Sequence, residues 1–166
     1  MHLFWGNGKN NLGMDETHYR STYAEINPIK CAFEKAINSR VCNCSKSSRF
    51  NLADREGVAC ESAASHALCQ ELLELLREKA RFALQQTQVD GPLPHNAEIK
   101  IQCGGVKGLI ELLKGLHPDQ TNAAEDDVYA VIQQALGDFE RLNALPFSQI
   151  MQQVTAYQGR KRRGAK

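Results

Sequence analysis

Long apolar runs are missing from these 166 residues. No stretch approaches the ~18 consecutive apolar residues of a membrane helix, so the chain is not expected to span a bilayer. The opening, Met1-His-Leu-Phe-Trp-Gly, lacks a basic segment and a long apolar one. A secretory signal is therefore not expected, and a cytoplasmic setting is. A charge surplus is missing too. With 20 basic residues against 19 acidic, no global field draws in nucleic acid or an anionic membrane, and neither is an expected partner.

The patterns that mark common active sites are also absent. There is no G-x4-G-K-[ST], no G-x-G-x2-G, no H-E-x2-H and no G-x-S-x-G. Cys103-Gly-Gly-Val-Lys-Gly-Leu is rich in glycine but fits neither phosphate-binding pattern, so it reads as a tight strand-to-helix turn. The five histidines (His2, His18, His66, His95 and His117) form no pair with a cysteine at ligand spacing. No internal repeat stands out.

What the chain does have is thiols. Of its six cysteines, Cys31, Cys42, Cys44 and Cys60 form a C-x10-C-x-C-x15-C array. At this length a domain buries a core without covalent staples. Thiols gathered in a chain with a cytosolic character point to a metal or iron–sulfur site before disulfides. From Lys30 through Cys60, six basic residues (Lys30, Lys35, Arg40, Lys46, Arg49 and Arg55) face three acidic ones (Glu34, Asp54 and Glu56). Four thiolates around a divalent ion or a cubane leave about two negative charges, which a basic shell offsets. Arg49 and Arg55 are the candidate charges for that role.

Spacing gives each cysteine a place. Asn27-Pro28 reads as an N-cap with proline at the first helical position. Ile29, Ala32, Phe33, Ala36 and Ile37 then form an apolar stripe, which puts Cys31 on the opposite, polar face. Cys42 and Cys44 follow in a loop. Cys60 falls near the start of a long helix over about 61–86, whose apolar stripe is Ala64, Leu68, Leu72, Leu75, Leu76, Phe82 and Ala83 and whose positive end lowers a thiol pKa. If that helix is unbroken, Cys69 is half a turn away from Cys60 and joins the core. Cys103 joins it too, although either replaces Cys60 if the helix begins later.

Further helical stripes run through Val128, Ile132, Ala135, Leu136, Phe139 and Leu142, behind a capping-box pair Asn122/Glu125, and through Phe147, Ile150, Met151, Val154 and Tyr157 behind Pro146. The expected fold is mainly α, a compact helical bundle of about five helices. At most one short strand is expected, near 98–103, where Glu98-Ile-Lys-Ile-Gln-Cys alternates strictly. Such a strand needs a partner, either residues 2–5 or its own copy in a homodimer. Residues 1–22 read as a loosely ordered arm docking through Trp5, 23–158 as the single helical domain, and 159–166 as a basic flexible tail.

These readings converge on an iron–sulfur protein with a 4Fe-4S cluster on Cys31, Cys42, Cys44 and Cys60. It would serve electron transfer or redox or gas sensing with a protein redox or regulatory partner. The alternative is a zinc-stabilised adaptor with a structural four-cysteine site. Ranked last is a thiol enzyme with Cys42 or Cys44 as a low-pKa nucleophile.

Overall fold

A computed structural model describes residues 15–85, 93–119 and 126–159. The expected Trp5 contact, the Asn122/Glu125 cap and nearly all of the basic tail lie outside these residues. The protein is mostly helical (64%), with six α-helices and one two-stranded sheet among the described residues. In chain order these are α1 (Glu16–Ile26), α2 (Glu34–Asn38), β1 (Ser47–Leu52), β2 (Arg55–Cys60), α3 (Ala63–Ala83), α4 (His95–Leu116), α5 (Val128–Phe139) and α6 (Phe147–Ala156).

The largest departure from expectation is at 98–103, which is not a strand but part of α4, a helix of 22 residues. The alternation is real, yet its polar members do not all face water. Glu98 and Gln102, one helical turn apart, are both buried. Arg77 binds the Glu98 carboxylate with two nitrogens at 2.7 and 3.2 Å, and Gln102 donates to it at 2.9 Å. Burial pushes the Glu98 carboxyl up, but the Arg77 and Gln102 hydrogen bonds outweigh it and the net shift is down. A helix buried nearly all round carries no one-sided stripe, so a short window misreads it.

Helix α4 is the centre of the fold and packs on α2, α3, α5 and above all α6. Two glycines set that last contact. A Cβ on Gly104 would stand 2.5 Å from Val154 Cα, and one on Gly108 would stand 2.7 Å from the Ile150 carbonyl oxygen. The two backbones touch there, and only glycine permits it. Around this pair the expected core residues are buried, including Phe33, Ala36, Ile37, Leu72, Leu76, Ile132, Ala135, Ile150 and Val154. Phe82, assigned to the α3 stripe from its spacing, is instead 94% exposed.

Two more expectations change. Asn27 does not open a helix but closes α1, which takes residues 16–22 of the segment expected to be a loose arm. Its buried amide donates to the Val58 carbonyl at 3.1 Å, so it pins the end of α1 to β2. The segment expected as loop and helix start is the antiparallel hairpin β1–β2, with Ser47 opposite Cys60 and Leu52 opposite Arg55. Its turn places Ala53 in the left-handed region at φ 55°.

Candidate metal centre

The hairpin and its neighbours bring cysteines from separate stretches of chain to one end of the molecule. Lys30 forms an isolated bridge with Ala59. Within it, Cys31 N–H donates to the Val58 carbonyl at 3.0 Å and Cys60 N–H to the Ile29 carbonyl at 2.8 Å. Cys31 and Cys60 therefore sit on adjacent extended segments. Cys31 is not on the polar face of a helix: α2 starts only at Glu34, and Cys31 is 7% exposed. The physical reason is that backbone pairing with β2 outcompetes the Asn27-Pro28 helix signal.

Cys44 is held beside the same strand end. Its carbonyl accepts from the Ser47 hydroxyl at 2.9 Å and the Ser47 N–H at 3.3 Å, and Ser47 is the register partner of Cys60. On its other side, Asn43 bridges in parallel to Asp127, and Val128 N–H donates to the Asn43 carbonyl at 2.9 Å. This docks the Cys42-Asn-Cys44 segment onto the start of α5, where Asp127 caps the Tyr129 N–H.

Cys60 ends β2 rather than beginning a helix. Its thiol donates to the Ser62 carbonyl at 3.2 Å, and Ser62 caps α3 through the Ser65 N–H. Because Cys60 lies outside α3, the half-turn argument that separated it from Cys69 no longer applies. Cys69 is buried on α3 close to the other thiols. His66, one turn before Cys69, places its Nε2 3.0 Å from the Lys30 carbonyl and so fastens the Cys31 segment to α3.

The electrostatics report the grouping. Burial pushes the Cys69 thiol up to about 12, and the charges of Cys44, Cys31 and Cys60 push the same way. Burial also lifts Cys31 to about 12, with Cys44 and Cys60 adding to it while the Phe33 N–H opposes. For Cys44 the rise from burial is countered by amides of Lys46 and Tyr129 that donate toward its sulfur. Cys42, the most deeply buried of the array at 2% exposure, is raised by burial and then by Cys31, Cys103 and Cys44. It therefore lies near Cys31 and Cys44 as well as Cys103, which is a core residue as expected.

All six cysteines are free. Among the described residues, no three His, Cys, Asp or Glu side chains converge tightly enough to grip a single metal ion. Burial raises the Cys42 and Cys44 thiols, which runs against the low-pKa reading of either as a nucleophile.

Of the two arginines expected around the thiols, Arg55 serves another group and Arg49 reaches the Cys42–Cys44 segment. Arg55, at the turn end of the hairpin, pairs with Glu16 at 2.9 Å and lies 4.4 Å from the centre of the Tyr19 ring. Arg49 pairs with Glu56 at 2.8 Å and also donates to the Asn43 side-chain oxygen at 3.3 Å, between Cys42 and Cys44. Lys46, two residues from Cys44, holds its ammonium 5.8 Å over the Tyr129 ring. Cys69, His66 and Lys46 are the members of this region that sequence reasoning set aside or counted only in bulk. The signal that could have found Cys69 was a helix start moved two residues past Cys60.

Comparison with protein-family models, with curated proteins and with solved structures finds no match for the chain.

Proposed function

We propose that the protein binds an iron–sulfur cluster, with the four-iron form favoured, through Cys31, Cys44, Cys60 and Cys69. Its role in this reading is one-electron transfer or the sensing of redox state or a reactive gas. The observation that carries the proposal is that Cys31 and Cys69, from separate stretches of chain, both lie near enough to Cys44 and Cys60 to be influenced by their charge. A four-iron cube takes its ligands at separate corners, so it suits sulfurs that face one region without meeting at one point. A single zinc ion needs all its sulfurs about 2.3 Å from one centre, a tighter convergence than these side chains have.

Amides of Phe33, Lys46 and Tyr129 directed at sulfur supply the hydrogen bonds that tune such a centre. The helices around α4 act as a bundle that shields one side of the site, leaving Cys44 and Cys60 half-exposed toward a protein redox or regulatory partner. Free thiols throughout fit a reducing cytoplasm.

Anaerobic reconstitution with iron and sulfide tests the reading. About four iron and four sulfide per chain, with broad visible absorption, is the expected result. Zinc at one per chain with no sulfide retained replaces the cluster by the adaptor reading, and protein that takes up neither removes both.

A further inference from the structure

Away from the thiols, α1, α2, the hairpin and the start of α4 enclose a cleft of about 640 Å³. That is room for a molecule of metabolite size. Its charges are not evenly matched. The three carboxylates that line it are already engaged: Glu16 by Arg20 and Arg55, Glu34 by Lys30, and Glu56 by Arg40 and Arg49. Lys35 also lines it and makes no ion pair at contact distance among the described residues, although its charge acts on the buried Glu98 carboxylate.

The Lys35 Nζ lies instead 2.9 Å from His95 Nδ1. An ammonium can only donate, so the imidazole accepts through Nδ1 and carries its proton on Nε2. Two of the three Lys35 N–H donors and the His95 Nε2–H are left for another acceptor. The first turn of α4 adds to them, since its N-cap is Pro94 and no side chain caps it.

A second feature points to a ligand with a hydroxyl. Asn38 lines the cleft, and its Nδ2 donates to the Glu56 carbonyl at 3.1 Å. Its Oδ1 is buried with no donor. Buried acceptors without a donor are rare in folded proteins. In the complex proposed below, the amide turns, gives up its bond to the Glu56 carbonyl and accepts from a ligand O–H. The Tyr19 ring and Ile99 give the wall an apolar surface for a carbon skeleton.

We propose that this cleft binds a hydroxylated organic anion, of the sugar-phosphate or hydroxy-acid class, with Lys35 on the anionic group, the outward-facing His95 Nε2–H on a second ligand oxygen and Asn38 on a hydroxyl. The site does not depend on a bound cluster, so it is tested separately, on the full chain without iron.

Calorimetric titration with ribose 5-phosphate and with citrate reads it directly. Saturable binding of at least one is expected, weakened about tenfold or more by Lys35→Ala. Lys35→Arg keeps most of the affinity, and both variants melt as the wild type does. Added sodium chloride weakens binding, as it does for a charge-led contact. Retention of only one probe assigns the class, phosphate or carboxylate. In competition, malate displaces the bound probe better than succinate, which lacks the hydroxyl, and equal displacement overturns the Asn38 assignment. No saturation by either probe at about 10 mM, or Lys35→Ala binding as tightly as wild type, overturns the site.

Discussion

Replacing Cys69 by alanine separates the two candidate ligand sets, since Cys42 and Cys69 compete for the fourth position. In the iron-free protein the substitution removes one buried sulfur at 7% exposure. The lost burial and the small void together cost about 1 kcal/mol, too little to unfold a domain of this size. Cys42→Ala, at 2% exposure, costs a similar amount. The two variants are therefore matched in stability and differ in chemistry.

Burial raises the Cys69 thiol to about 12, so its thiolate is disfavoured in the iron-free fold. A cluster bound there offsets that penalty, and assembly releases the proton. After anaerobic reconstitution, Cys69→Ala should retain well under half of the wild-type iron and sulfide, while Cys42→Ala retains nearly all. Thermal melts of both iron-free variants, within a few degrees of wild type, exclude misfolding as the cause. The reverse pattern, loss with Cys42→Ala and retention with Cys69→Ala, would refute the placement of Cys69 and restore the array of Cys31, Cys42, Cys44 and Cys60.

Two other outcomes follow from the geometry. Gly108→Ala drives a methyl into the Ile150 backbone, which cannot move aside as a side-chain tip can. It should lower the unfolding free energy by about 2–3 kcal/mol in a urea melt. The control Gly137→Ala, where nothing lies within 4 Å, should be neutral or slightly stabilising. The raised thiols also set a pH limit. A group whose pKa is higher folded than unfolded stabilises fully below its unfolded value and loses that contribution as pH climbs toward the folded one. For Cys31 and Cys69 the window runs from about 9 to about 12. The melting temperature of the iron-free protein should fall across it, and Cys31→Ala with Cys69→Ala should flatten the fall.

The helices with a single apolar face were legible in the residues themselves. Leu72 and Leu76, Ile132 and Ala135, and Ile150 and Val154 are all buried as their spacing requires. The hairpin was not, for reasons of chemistry. Ser47-Ser-Arg-Phe-Asn-Leu has no apolar alternation, and its turn sets Ala53 at a positive φ without the asparagine or glycine that marks such turns. Misplacing that hairpin carried over to the thiols. With Cys60 assigned to the long helix, Cys69 fell on the far side of it, and with a helix begun at Pro28, Cys31 fell on a polar face. The grouping of thiols near 31–60 was visible in their spacing, whereas the membership of Cys69 depends on a long-range strand contact that no local pattern encodes.

The pairing of Asn43 with Asp127 and Val128 has an implication for how the protein is made. A ribosome emits Cys31, Cys44, Cys60 and Cys69 dozens of residues before the strand segment at 127 exists. Contacts so remote in sequence close late, after local helices have formed. For that interval the sulfurs are accessible on a half-finished chain, and docking of α5 is the event that shuts one side of their enclosure.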